Sequence, residues 1–134
     1  MKREIKFRGK SKRDGEWFFG NLYDKDTIGK THICTTKRGC LDIDPDTVGQ
    51  FTGLKDKNGV DIYEGDIIKV ITFGFNTETF ITEIKYGCHR GTLGFYLAND
   101  RSLFYFGQSD YSRLDDTIVI GNIYDNPELL KMEK

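Results

Sequence analysis

The sequence predicts one mainly β domain, a small barrel or sandwich of short antiparallel strands with a short C-terminal helix. Three observations carry this expectation. Apolar and polar residues alternate with a period of two from one end of the chain to the other. The alternating runs are rich in β-branched and aromatic residues, with 10 Phe, 7 Tyr and 1 Trp available for the core. Turn-forming Gly, Asn, Asp and Pro break the runs at short intervals, which suits a barrel or sandwich better than an α/β fold. No Gly/Ser/Pro-rich linker divides the 134 residues, so 1–134 reads as a single domain with scope for two lobes.

The elements follow in order. Ile5 and Phe7 alternate with Lys6 and Arg8 as a first strand, and Gly9 to Gly15 reads as a polar loop. Trp17-Phe18-Phe19 returns as the second strand of a hairpin. Residues 31–36 form another strand between Gly29 and Gly39. Asp44-Pro45-Asp46-Thr47 is a turn or a single helical turn, because Pro45 has a fixed φ and Asp44 can cap. Asn58-Gly59 is expected as a type I′ turn joining strands 50–54 and 60–63, both central residues taking φ > 0. The run Ile67-Ile68-Lys69-Val70-Ile71 suits a strand covered on both faces. In 77–86, Phe80, Thr82, Ile84 and Tyr86 share one face. Strands at 93–97, 103–106 and 117–124 precede the helix, which Asn126 caps and Pro127 opens. Gly20-Asn21-Leu22-Tyr23-Asp24 is echoed by Gly121-Asn122-Ile123-Tyr124-Asp125, which either two equivalent strand ends or chance in such short segments would produce.

Charge is balanced, with 20 Lys+Arg against 21 Asp+Glu, so net charge marks neither a nucleic-acid nor a membrane protein. Its placement is uneven. Lys2, Arg3, Lys6, Arg8, Lys10, Lys12 and Arg13 crowd the start, and residues 42–66 lean acidic. A protected edge strand bearing lysines accounts for the basic run; a nucleic-acid arm or a subunit interface are the functional readings. No apolar run reaches the ~20 residues of a spanning helix, and no h-region follows Met1. A soluble, cytoplasmic protein is expected, with Cys34, Cys40 and Cys88 as reduced thiols.

Several motifs nearly match. Gly29-Lys30-Thr31 ends like a phosphate-binding loop, but Asp24 stands where the first glycine is required and would repel the ligand. Asp42, Asp44 and Asp46 open like a calcium loop, yet Thr47 and Gly53 replace the turn glycine and the bidentate acid. His32, Cys34, Cys40, Cys88 and His89 lack a zinc knuckle spacing and read better as small hydrophobes and ordinary histidines. Neighbours such as Cys88 and His89 point to opposite faces of a strand and do not form a nucleophile–base pair. Glu64 and Asp66, two apart, would share a strand face, where two carboxylates can hold a metal or do acid–base work, although such residues are more often solvated caps at a strand entrance.

The stretch from Gln50-Phe51-Thr52-Gly53-Leu54-Lys55-Asp56-Lys57-Asn58-Gly59 through Val60-Asp61-Ile62-Tyr63-Glu64-Gly65-Asp66-Ile67 is similar to the central signature of the YopX-like family. Arg3-Glu4-Ile5-Lys6-Phe7-Arg8 and Ile120-Gly121-Asn122-Ile123-Tyr124-Asp125-Asn126-Pro127-Glu128-Leu129-Leu130 agree at the two ends. The resemblance implies a mainly β fold, a phage or prophage origin in the cytoplasm of a bacterial host, and homo-oligomers. It implies no activity, no cofactor and no catalytic residue. Segments 24–47 and 73–112 carry no signature and are the expected seats of individual function.

These readings converge on a non-enzymatic, homo-oligomeric binding or scaffolding module, with a phage or host protein as its partner. The alternative is a nucleic-acid-binding barrel, in which Lys2, Arg3, Lys6, Arg8, Lys10 and Lys12 track phosphates while Trp17, Phe18 or Tyr23 stacks on bases. A weaker alternative is a hydrolytic or metal-dependent enzyme at Glu64 and Asp66. Neither a metal nor a cofactor is expected, and no membrane association.

Overall fold

Alternating side chains produce ten strands in the computed structural model of the chain, which describes residues 5–23, 28–72, 78–89, 91–98 and 116–132. All pair antiparallel, in two sheets ordered β4-β3-β2-β1-β5-β6 and β10-β7-β8-β9. The mainly β fold of short antiparallel strands is as expected, and among the described residues the sheets are open, without barrel closure. The chain divides into two compact units, Met1–Phe51 and Thr52–Lys134.

In the first unit, β1 (Phe7–Lys10), β2 (Trp17–Tyr23), β3 (His32–Thr35) and β4 (Gly39–Asp42) form a meander, and β5 (Gly49–Lys55) returns to pair with β1. Phe18, Ile33 and Ile43 are buried on one face, with Phe7, Leu22, Leu41 and Val48 packed around them. Burying each of the two isoleucines fully stabilises by roughly 1.5–3 kcal/mol. The turn at Pro45–Thr47 is a 3-10 turn, with the Asp44 carboxylate accepting from Asp46 N at 3.1 Å. Thr47 Oγ1 then accepts from Lys10 N at 2.8 Å and ties that turn to β1.

Three expectations change here. β1 lies between β2 and β5, so the basic strand is interior to its sheet and is not a protected edge. Gly9 is not the start of a loop but a strand residue paired with Phe18. The third change concerns the cysteines. A strand at 39–42 was not anticipated; its pairing with β3 sets Cys34 opposite Cys40, and the two sulfurs are bonded. Cysteines facing each other across a hairpin need no loop spacing to pair, which is why chain spacing did not reveal them. Cys88 remains a thiol and is exposed. A thiol titration without reductant is therefore expected to count one group, rising to three after reduction and denaturation. Reduction should lower stability by no more than about 2 kcal/mol, because the closed loop is short. Three thiols in the untreated protein would remove the bond.

In the second unit, the rest of β5 forms a hairpin with β6 (Asp61–Tyr63), followed by β7 (Asp66–Thr72), β8 (Glu78–His89), β9 (Thr92–Leu97) and β10 (Thr117–Asn122). Ile62, Ile68, Val70, Phe80, Ile84, Phe95 and Leu97 make its core. As the alternation demands, Phe80, Thr82 and Ile84 of β8 are buried together, and Ile67 and Ile68 are buried on successive positions of β7. The expected hairpin exists, but its turn is one residue longer than a type I′ loop. Gly59 N donates to Asp56 O at 3.0 Å and Asp56 N to Val60 O at 2.8 Å, so Lys57 and Asn58 are central. Gly59 follows them at φ 81°, the place where a three-residue hairpin loop needs a left-handed residue.

The expected short C-terminal helix is present as a 3-10 helix, Pro127–Met132. The Asn126 side chain accepts from Asn122 N at 3.3 Å instead of capping that helix. The echoed pentapeptides are not equivalent. Asn21 lies inside β2 opposite Cys34, whereas Asn122 ends β10 and its amide oxygen accepts from Tyr124 N and Asp125 N. The strand expected at 103–106 lies outside the described residues.

Candidate binding face of the first unit

Strand alternation sorts the first unit's sheet into two faces. Phe7, Gly9, Phe18 and Leu22 point into the core, which leaves Arg8, Lys10, Trp17, Phe19, Asn21 and Tyr23 on the opposite side. The register brings Lys10 beside Trp17 and Arg8 beside Phe19. The Arg8 guanidinium carbon stands 4.6 Å from the Trp17 ring centroid and Lys10 Nζ stands 5.6 Å from it. Lys6 Nζ lies 4.7 Å from the centroid of Phe51. Each cation is thus fixed over an aromatic face, a contact of about 0.5–2 kcal/mol according to exposure. Arg8 is 7% exposed and acts from within the sheet.

Farther along β2 the aromatic rings become open to solvent. Phe19 is 50% exposed and Tyr23 is 55% exposed, with the amide of Asn21 between them on the same face. Tyr23 meets the His32 ring edge-on at 6.4 Å, directly across the β2–β3 pairing. At the other end of β2, Lys10, Ser11, Lys12, Arg13, Asp14 and Thr47 are among the residues lining an open groove of about 600 Å³ beside the β1–β2 connection.

The candidate residues named from sequence divide clearly. Lys6, Arg8, Lys10 and Trp17 come together on this face, Lys12 lies at its end, and Lys2 and Arg3 fall outside the described residues. Phe18 does not belong to it. That ring is 7% exposed in the core, with Arg38 set 4.5 Å above it. Phe19 takes its place, on the same strand face as Trp17.

The carboxylates of 42–66 are largely spent within the chain. Asp42 pairs with Lys30 at 3.7 Å and Asp61 with Lys55 at 2.6 Å. Asp44 and Asp56 accept from backbone N–H groups. Glu64 and Asp66 flank Gly65, whose φ is 91°, so they bracket a turn and do not share a regular strand. Asp66 is buried and accepts from Tyr63 N at 2.8 Å, the action of a turn-forming side chain. Among the described residues no three His, Cys, Asp or Glu side chains gather as metal ligands, and Cys34 and Cys40 are bonded to each other. Among the same residues no helix is long and apolar enough to cross a membrane.

A search of curated proteins finds no match. Among solved structures the chain is similar to the crystal structure of protein EF1440 from Enterococcus faecalis, at 26% identity and a TM-score of 0.58, over 96% of this chain and 99% of that one. The family model described as YopX protein matches residues 6–131, nearly the whole length over which the signature pieces were read, and the chain belongs to the YopX family.

Proposed function

We propose that the chain is a non-enzymatic binding module that works as a homo-oligomer and meets its partner through the outward face of the first unit's sheet. The observation that carries the binding face is the run of Trp17, Phe19 and Tyr23 on one side of β2. Two of these rings are half or more exposed, beside cations already fixed in place. Large exposed rings do little for the fold, and rings gathered with charges suit a contact surface.

If the face serves a partner, its rings are dispensable for stability. Phe19→Ser combined with Tyr23→Ser is expected to shift the denaturation free energy by no more than about 1–2 kcal/mol, the range of two exposed cross-strand contacts. A larger loss would assign the rings to the fold and overturn this reading of the face. Self-association has its own test. Light scattering at micromolar concentration is expected to give a multiple of 15.4 kDa, and a mass of 15.4 kDa would exclude the oligomer.

A further inference from the structure

We infer that the outward face of the first unit binds single-stranded nucleic acid, with bases stacked on Phe19 and Tyr23 and phosphates held by the cations at the β1–β2 end. This rests on the reading of that face as the binding surface and names its ligand.

Charge complementarity selects a polyanion. The first unit carries 11 Lys and Arg against 8 Asp and Glu, a net of +3, whereas the second carries 9 against 13, a net of −4. The overall charge of −1 therefore conceals a basic unit, and it is the basic unit that bears the open rings. Within the acidic stretch 42–66, at least five of the seven carboxylates already have partners in their own chain. Asp42 and Asp61 are in ion pairs, and Asp44, Asp56 and Asp66 accept backbone N–H groups.

Shape selects a single strand. A major groove admits a helix or a two-stranded ribbon, being about 12 Å wide. Here β2 is flanked by β1 and β3 within its sheet, so the rings cannot enter a groove edgewise. Unpaired bases can instead lie down on an aromatic sheet face. Phe19 and Tyr23 are four residues apart on one strand, or about 13 Å. The exposed Asn21 amide between them can donate to and accept from a base edge. Arg8 and Lys10 hold positive charge against Trp17 at the start of this track. Lys10, Lys12 and Arg13 line the groove where the track begins, against Asp14 and Asp44 in the same lining, so three cations outnumber two carboxylates where phosphates would be gripped.

The expected behaviour follows from those parts. Three or four phosphate contacts on a single strand give a slope of log K against log salt of about −2 to −3. Losing a stacking ring lowers affinity by roughly 5- to 100-fold per base. The test is fluorescence anisotropy with labelled DNA and RNA single strands of about 12 nucleotides, and the matching duplexes, across a salt series. Single strands are expected to bind at about 10⁻⁶ M near 150 mM salt, at least tenfold tighter than duplex. Phe19→Ser with Tyr23→Ser should weaken binding at least tenfold without flattening the salt slope. Lys10→Ser, Lys12→Ser and Arg13→Ser together should flatten it. Circular dichroism and a denaturation curve confirm that each variant is folded.

Three outcomes overturn the inference: no single-strand binding up to about 10⁻⁴ M, equal affinity for duplex, or binding that survives loss of both rings. In that event light scattering of the folded ring variant separates the two readings. A change in mass assigns the face to a second copy of the chain, so that the binding-face reading stands and the nucleic-acid ligand falls. An unchanged mass leaves neither nucleic acid nor a second copy as the occupant of the face.

Discussion

Asp56→Ala is expected to destabilise the second unit by about 3–5 kcal/mol. The carboxylate is 1% exposed and accepts three backbone N–H groups. Oδ1 takes Asn58 N at 2.8 Å and Val60 N at 2.9 Å, closing the hairpin loop from inside. Oδ2 takes Val119 N at 2.9 Å, on a strand 63 residues farther along. Hydrogen bonds to a carboxylate contribute about 1.5–3 kcal/mol each, and donors left unmatched in a part-buried site add their desolvation. Asp56→Asn keeps the shape but turns an amide NH₂ toward donors on one side, so it should lose about 1–3 kcal/mol. Urea unfolding of both variants checks the order. A midpoint for Asp56→Ala equal to that of the parent would mean water replaces the carboxylate at no cost, and this account of the hairpin would fail.

Asp56 also marks how far the sequence could be read. That it would satisfy donors in its own turn was legible from its place before Asn58-Gly59. Its bond to Val119 was not, because nothing local in the chain says which distant strand passes the loop. The same division runs through the fold. β7 and β8 were plain from their patterns, since Ile67-Ile68-Lys69-Val70-Ile71 is a nearly continuous apolar run and Phe80-Thr82-Ile84 has a fixed phase. Trp17-Phe18-Phe19 has no phase of its own, being apolar throughout. Only the pairing of Phe18 with Gly9 shows which ring is core and which is surface. β4 was missed because Gly-Cys-Leu-Asp carries no alternation, and with it the bond between Cys34 and Cys40. The basic strand was legible as basic, but its interior place in the sheet depends on the return of β5, a non-local event.

At Gly9 the sequence points the wrong way, and the expected effect of a substitution has the opposite sign from the usual rule. Replacing a strand glycine by Ala ordinarily stabilises by about 0.5–1 kcal/mol through lost unfolded-chain entropy. Gly9→Ala is instead expected to destabilise by about 2–3 kcal/mol. A Cβ on Gly9 would overlap Ile43 Cγ2 and lie 3.6 Å from Ile33 Cγ1, and both isoleucines are 0% exposed. Ile43 cannot retreat easily. Ile43 N donates to Thr31 O at 2.9 Å, and the next residue's N–H donates to Lys10 O at 2.9 Å, so the Ile43 backbone is held on both sides. The glycine that reads as loop punctuation is therefore the point where β1 lets a core isoleucine lie against the sheet. Ile43→Leu removes the offending Cγ2 methyl while keeping the volume, so in that background Gly9→Ala should cost less than about 1 kcal/mol. Equal costs of Gly9→Ala with Ile43 and with Leu at that position, measured as urea midpoints around a double-mutant cycle, would show that the close approach does not constrain the core.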